Sequence, residues 1–541
     1  MLRAQAVQGQ ILVLPEAKAR IRYGDRLTIA SLAAIEKGLL EDGSVEVRVI
    51  HDGTHGVDVN RFICVLDGGL NPIASDIKAA LRVQSARGTP HFGLTVDVKG
   101  AHRLVVIRPE DWPLIACQLE PGGDVFLNRV GTFGVSSASY WWGRLAAAIQ
   151  RAGLRVVTRA WALWVMLYAD DHDLTAEGST YQRALLCFVW WLVVLGVPLS
   201  WGKCRGGFTY PWVGYEKCLR EWSLGISASR AAWAVDWMSR TIKARKVNTA
   251  ELREALGRLV FVYGALTYDK PFLGPLFAFL KVHRLGVTKR LPLYVLIVLS
   301  WLRDRLKDRR AHKLLVRKTV GRSLLRVDAK AEGLSVAVGG WCPHVDAAGK
   351  VVKEKSTWFS VRLTESEAPW AFVKGMPSRT ISTLELLATT VGLVLLSPPE
   401  LSADGSAGTV MVTGFTDSLV SASVVSRGLT TTFPLCAVAM ELAAQLEDRK
   451  AELFLEWVPR DANTEADRLA DGDSTGFDPA LQVKASIGQV RWKVLDRLME
   501  AGLAFQRDTE LYAQRTGKRQ GKQAGGVAKS GRQKLREKEP W

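Results

Sequence analysis

The sequence predicts a multidomain protein of mixed α/β and α+β class, and three observations predict it. At 541 residues the chain is too long for one core, so about two to four domains are expected. Apolar residues make up 48%, which is ordinary for packed domains and excludes wholesale disorder. The hydrophobic pattern also changes character along the chain. Strand-like runs ending in carboxylates occupy roughly 45–218, basic helical stretches 225–318, and a strand–helix alternation begins at 323.

Residues 26–40 (RLTIASLAAIEKGLL) read as helix-like among polar turns. Residues 44–50 (SVEVRVI) alternate like a strand. Residues 91–107 (HFGLTVDVKGAHRLVVI) read as a strand, a break at Lys99-Gly100, then further structure. Residues 137–153 (SASYWWGRLAAAIQRAG) have helical spacing and end at a glycine. Residues 161–174 (WALWVMLYADDHDL) read as strand, turn, strand. The longest apolar stretch, Ala184 to Leu199, is short for a bilayer span and contains Gly-Val-Pro, so it reads as a buried helix running into a turn. PLSWGKC and FTYPWVGYEKC read as two short strands. In the basic region, Asn248 followed by Glu251 gives a capping-box pattern, and LPLYVLIVLSWL (291–302) reads as a packed helix. From 323 the order is strand, helix, strand, helix, strand, helix: SLLRVDAKAEGLSVAVGGW, STLELLATTVGLVLL, TVMVTGFTDS, FPLCAVAMELAAQLED, ELFLEWVP and NTEADRLADGD. The tail from Gln506 is polar and rich in Gly, Lys and Arg, and reads as disordered.

Lys and Arg number 72 against 54 Asp and Glu, a net charge of +18 that points to a polyanionic partner, most often nucleic acid. The seven cysteines form no C-x-x-C pair, which excludes a zinc ribbon or a disulfide framework, and their odd number fits a reducing compartment. The start lacks a signal-peptide core. The expectation is an intracellular protein, cytoplasmic, nuclear or both, without a membrane span. His51 and His55 have the spacing of a zinc-binding pair, but no cysteine pair follows, so zinc is not expected.

Two adjacent aspartates, Asp170 and Asp171, leave the apolar run together. Burying one carboxylate costs about several kcal/mol or forces it to take up a proton. The pair makes sense around a doubly positive ion, or else as a solvated Asp-Asp turn. Asp97 also ends a strand-like run. Three carboxylates at one sheet edge would make an oxygen-rich site for Mg²⁺. Two such ions roughly 3.5–4 Å apart clamp an in-line displacement at phosphorus. A second set follows: Asp328 and Asp417 end strands, Glu385 begins a helix and Asp467 sits on a helix after WVPRDAN. Taken singly, Asp417 reads equally as a helix cap and Glu385 as a solvated helix residue. Glu332, Glu365 and Glu367 are substitutes for Glu385.

LYADD resembles the Tyr-x-Asp-Asp motif of reverse transcriptases, and further blocks stand in that family's order. VRVIHDGTHGVDVN (47–60) resembles its fingers strand, with Arg48 at the triphosphate-contacting arginine. TVDVKGAHR resembles the first catalytic block, with Asp97 as metal ligand. GTFGVSSASYWW (131–142) resembles the block that holds nucleotide and template, where Gly134 matches and the usual proline is missing. LGVPLSWGKC resembles the block ending in Lys-Cys, which implies a place for Lys203 near the pyrophosphate, and WVGYE resembles the primer grip. His102 stands where the family has Tyr or Phe as the gate against the ribose 2′-hydroxyl. Asp328, Glu385, Asp417 and Asp467 resemble the carboxylate set of ribonuclease H. WVPRDANTEADRLADGD is similar to the ending of gypsy-like and DIRS-like retrotransposon enzymes, onto which Asn463 and Asp467 carry over. The loop histidine of retroviral and bacterial nucleases is replaced by PRDAN, which implies slower product release.

The resemblance implies a right-hand polymerase (fingers, palm, helical thumb) followed by a ribonuclease H-like α/β domain. Its divisions fall at 1–45 (N-terminal extension), 46–218 (fingers and palm), 219–318 (helical thumb or connection), 319–480 (ribonuclease H-like) and 481–541 (helix and basic tail). It implies two Mg²⁺ per active site, with Mn²⁺ as substitute, and as partners an RNA or DNA template-primer, an RNA–DNA hybrid and dNTPs. No Asp-Thr-Gly protease motif or zinc-binding integrase head is seen, and DGTHG and AHR lean toward the DIRS-like group. The rival readings are a polymerase with a degenerate nuclease, and a domesticated nucleic-acid scaffold. A scaffold should have lost at least one of the seven carboxylates, and all seven are present.

Overall fold

The computed structural model describes residues 2–39, 45–89, 91–313, 317–372, 375–397 and 409–515. It is a mixed α/β, multidomain protein with two compact units. The first comprises Met1–Asp76, Gly88–Val213 and Lys217–Arg220; the second comprises Ile77–Arg87, Gly214–Glu216 and Glu221–Trp541.

The first unit carries two sheets. One has five strands in the order Ile11–Pro15, Asp124–Asn128, Ala116–Gln118, Ile29–Leu39, Val45–Asp52. The helix expected over 26–40 is therefore a strand. Ile29–Leu39 pairs with Val45–Asp52 in a hairpin, and Ile29 and Ala30 pair with Ala116 and Cys117. These partners take up its backbone groups and override an Ala/Leu/Glu-rich helical propensity. The second sheet holds β1 (His91–Asp97), β2 (Leu163–Tyr168), β3 (Asp171–Glu177) and β4 (Arg205–Gly207), in the order β2-β3-β1-β4, all antiparallel.

Helix α1 (Ser136–Val157) covers this sheet with α2 (Tyr181–Val194). α1 does not stop at Gly153, because the buried stripe of Trp142, Ala146 and Gly153 continues to Val157. α2 buries Ala184, Leu185, Phe188 and Leu192 but leaves Leu186, Trp190 and Val194 exposed, so it is buried on one face rather than wholly. PLSWGKC contains a 3₁₀ turn at Trp201–Lys203 rather than a strand, and FTYPWVGYEKC holds two strands, Thr209–Trp212 and Tyr215–Cys218.

The second unit opens helically, with α3 (Ala228–Ala244), α4 (Thr249–Ala265) and α5 (Leu293–Asp308), and a two-stranded ribbon of β5 (Lys246–Asn248) and β6 (Thr288–Arg290). Asn248 caps α4 by accepting from the Ala250 N–H at 2.8 Å. The expected box does not close, since the Glu251 carboxylate accepts from the Trp237 indole at 2.9 Å. Part of a helix from earlier in the chain also belongs here: Lys78 donates to Thr267 at 3.2 Å, and Arg82 pairs with Glu452.

Then comes a five-stranded mixed sheet of β7 (Arg317–Glu332), β8 (Ser335–Val345), β9 (Val351–Leu363), β10 (Thr409–Thr416) and β11 (Ala451–Trp457). Its order is β9-β8-β7-β10-β11, antiparallel on the β9 side and parallel from β7 to β11. The opening antiparallel meander replaces the strict strand–helix alternation read from sequence. α6 (Ile381–Leu396) lies on β7 and β8, followed by α7 (Leu435–Asp448) and α8 (Thr464–Asp471). Pro377–Leu396 is long and apolar enough to cross a membrane, but 67% of that stretch is buried, as in a core helix.

α9 (Leu495–Arg515) runs through Gln506, where disorder was expected; the tail beyond 515 lies outside the described residues. Its start is fixed by the buried Glu441 carboxylate of α7, which accepts the N–H groups of Lys493 (3.0 Å), Val494 (2.8 Å) and Leu495 (2.9 Å), and the Gln445 amide (2.6 Å). Glu441→Ala strands those donors and is expected to cost about 3 kcal/mol. Amide exchange across 493–507 should quicken accordingly, and unchanged protection there would contradict this account of the cap.

Candidate active sites

In the first unit, register does the assembling. Asp97, the last residue of β1, lies directly opposite Asp171, the first of β3, so their side chains share one face at short range. Asp170 occupies the two-residue turn between β2 and β3, and its carbonyl accepts the Val98 N–H at 2.9 Å. Ala169 takes a left-handed conformation (φ 54°) and is held there by the Trp142 indole on its carbonyl (2.9 Å) and the Asn71 side chain on its N–H (3.2 Å). Burial, with Asp97 and Asp170 close by, pushes the Asp171 carboxyl up to about 7. Lys203 supplies the opposing charge through a 3.0 Å contact with Asp97.

Beneath this edge, alternation along β3 brings Asp173 to the same face as Asp171. Asp173 is buried, accepting from the Tyr210 hydroxyl at 2.7 Å and the Lys217 ammonium at 2.5 Å. The sequence reading missed all three residues. The two-residue spacing in DDHD was the available signal for Asp173, but its partners lie 37 and 44 positions away.

The other predicted contacts are placed as follows. His102 sits on a 3₁₀ turn, edge-on to Phe133 (4.7 Å), and lines a cleft of about 860 Å³ with Tyr140, Trp142, Arg151 and Ala169. Gly134 has φ 99°, and a Cβ there would lie 1.8 Å from the His51 carbonyl oxygen, so no other residue fits. Asn60 ties this loop down, donating to the Gly134 carbonyl (2.7 Å) and accepting from the Ser136 N–H (2.8 Å). Arg48 lies opposite Ile35 in its strand, and its side chain lies outside the described residues. His51 is buried, while His55 is exposed and contacts Asp52 at 2.8 Å.

The second unit holds the tighter cluster. One carboxylate oxygen each from Asp328, Glu385 and Asp417 lies within 4.8 Å of the others. Asp328 lies within β7, four residues before its end, rather than closing the strand as expected, because the pairing with β8 continues to Glu332; Glu385 is on α6, and Asp417 follows β10. Asp417 is not the cap of the next helix, because Ser418 fills that position and accepts from the Ser421 N–H. Glu385 is buried rather than solvated. Glu332 instead pairs with Lys330, and Glu367 accepts from Thr364, while Glu365 is exposed.

Asp467 reaches Asp328 from α8. That helix can approach because Gly339, which faces Asp328 across the sheet, has no Cβ; one would lie 2.3 Å from the Ala470 nitrogen. Asn463 fixes the helix start through its amide on the Val327 carbonyl (3.0 Å). Arg460, also missed by the sequence reading, donates to Asp467 at 2.8 Å.

Burial and mutual repulsion push Asp328 and Glu385 well above the ordinary carboxylate range. Glu385 Oε2 and Asp417 Oδ1 are buried without a hydrogen-bond partner. Orphaned oxygens in a repelling, desolvated cluster are what a divalent cation relieves, so the residues fit Mg²⁺. A pH dependence follows. These groups hold protons to higher pH in the folded chain than in the unfolded one, so the native state binds more protons between their ordinary and raised values. Stability of the metal-free protein should therefore fall as pH rises from about 4.5 through the neutral range. Thermal unfolding at pH 6 and 8 checks this. Added Mg²⁺ should stabilise more at pH 8, and Asp328→Asn should flatten the slope.

No family model and no curated protein matches the chain. Solved structures similar to it include the foamy viral protease-reverse transcriptase "dRH" with double-stranded DNA, at 13% identity and TM-score 0.45, covering 84% of this chain and 68% of that one. Similar too are the foamy viral protease-reverse transcriptase with an RNA/DNA hybrid (14%, TM-score 0.44, 84% and 52%) and with double-stranded DNA (13%, TM-score 0.43, 84% and 80%).

Proposed function

We propose that the chain is an RNA-directed DNA polymerase of a retrotransposon, DIRS-like or gypsy-like, with ribonuclease H activity. The observation that carries this reading is the gathering of seven carboxylates, distant in sequence, at two places: Asp97, Asp170 and Asp171 at one sheet edge, and Asp328, Glu385, Asp417 and Asp467 around another. The motif order that resembles reverse transcriptases supports it, with fingers and palm, a helical thumb and a nuclease in sequence.

Asp97, Asp170 and Asp171 would hold Mg²⁺ for polymerisation, and the other four for cleavage, with Mn²⁺ as substitute. At such sites the ion pair lowers the pKa of the attacking hydroxyl or water and neutralises charge on the leaving oxygen. The chain's own groups do the rest. Lys203, 3.0 Å from Asp97, would turn toward the pyrophosphate. His102 packs under the incoming sugar, and Arg48 meets the triphosphate. Gly134 and Asn60 shape the loop beneath the nucleotide. Arg460, largely exposed and paired with Asp467, would contact the cleaved phosphate.

The test is primer extension with Mg²⁺ on a homopolymer RNA template, run beside cleavage of a labelled RNA–DNA hybrid. Incorporation of dNTPs and release of shortened RNA are expected. Folded protein that binds the hybrid yet does neither would overturn the proposal in favour of a scaffold.

A further inference from the structure

The β5–β6 ribbon presents a second surface with no role in either carboxylate cluster. Its strands pair Lys246 with Arg290, Val247 with Lys289 and Asn248 with Thr288. Val247 is buried, so Lys246, Asn248, Thr288 and Arg290 share the opposite, outward face. Lys246 and Arg290 are therefore like charges directly across a strand pair, an arrangement that destabilises a ribbon. Arg284 adds a third cation nearby, its carbonyl accepting from the Thr249 hydroxyl at 2.8 Å. Lys243 precedes the ribbon in the last turn of α3.

No carboxylate offsets this charge. Residues 237–250 and 270–303 contain no Asp or Glu. Among the described residues, Lys243, Lys246, Arg284 and Arg290 are exposed and have no ion-pair partner. A repulsive pair kept without compensation signals an anion absent from the fold. Lys246, Asn248, Thr288 and Arg290 give the outward face of the two strands cations and hydrogen-bonding groups and no apolar side chain, the exposed Val282, Leu285 and Leu293 lying outside the strands. Peptide partners use apolar anchors, whereas phosphates take charge and donors alone.

We propose that the β5–β6 ribbon docks the phosphate backbone of a nucleic-acid duplex, with Lys246 and Arg290 as its central contacts. The surface rests on the nucleic-acid role proposed above but on neither catalytic centre. It is therefore read by equilibrium binding of a fluorescent duplex to the full, metal-free chain between 50 and 200 mM salt. Lys246→Gln with Arg290→Gln should weaken binding about tenfold and reduce the salt slope by about 2. Lys18→Ala with Arg22→Ala, exposed cations outside the ribbon, is the control for net charge and should change neither by more than about twofold.

Lys246→Glu separates structure from function. It makes an opposite-charge pair with Arg290, so melting temperature should rise or hold while duplex affinity falls. An unchanged slope in the ribbon variant, an equal loss in the control, or loss of poly-glutamate binding with duplex binding intact would each overturn the proposal. Normal duplex binding without turnover would instead count against the catalytic reading.

Discussion

Asp171→Asn is expected to lower dNTP addition at least about a thousandfold while leaving hybrid cleavage within about twofold, and Asp417→Asn to do the reverse. Each removes a carboxylate from a cluster proposed above to hold Mg²⁺, and forfeiting about 4 kcal/mol of transition-state stabilisation corresponds to that factor. The clusters belong to different compact units, so neither substitution touches the other's ligands. Misfolding would not explain the losses. Asp171 is held up to about 7 by burial and by Asp97 and Asp170, so the neutral amide relieves repulsion in the metal-free protein. Each variant should melt no lower than the parent without Mg²⁺ and gain less from its addition. If Asp171→Asn polymerised at the parental rate, the β1–β3 edge would not be the polymerase centre.

Lys217→Ala is expected to destabilise the first unit by about 3–5 kcal/mol, the cost of leaving a buried carboxylate without its counter-charge. Both members of the pair are about 1% exposed, so solvent cannot take the cation's place. Tyr210 alone would remain on Asp173. Lys217→Met with Asp173→Leu should recover most of the loss, because exchanging a buried ion pair for apolar volume is often neutral. Denaturant unfolding of the three proteins checks the ordering. A Lys217→Ala protein as stable as the parent would mean that this ion pair does not hold the fold together. A stable double variant that extends primers slowly would show that the pair also steadies the hairpin carrying Asp170 and Asp171.

The parts legible in the sequence were those whose signal is local. Carboxylates ending alternating apolar runs marked Asp97, Asp171 and Asp417, since a strand end and a two-residue period are visible within ten residues. Asn248 announced its helix in the same way. What failed depended on distant partners. Ile29–Leu39 has helical composition and becomes a strand only because Val45–Asp52 and Ala116–Cys117 pair with it. The β9 strand, VVKEKSTWFSVRL, went unread because its polar first half conceals the period until β8 lies beside it. Asp173 looked like one more acid in an acidic turn, and nothing near it in sequence forecast Lys217. Arg460 lies in the PRDAN turn, where nothing local marks its reach to Asp467 on α8.

The helix segment Ile77–Arg87 belongs with the second unit although the chain on both sides of it belongs to the first. The backbone passes between the units after Asp76, Arg87, Val213, Glu216 and Arg220. The two halves of the gene are thus not separable cassettes. A fragment beginning at residue 221 would lack the partners of Thr267 and Glu452, and one ending there would carry a helix meant for a neighbour not yet translated. In the finished fold Ile77 and Leu81 are almost fully buried, and Arg82 beside them pairs with Glu452 of β11. Truncation on either side of residue 221 is on that account expected to cost both units stability, not only the one removed.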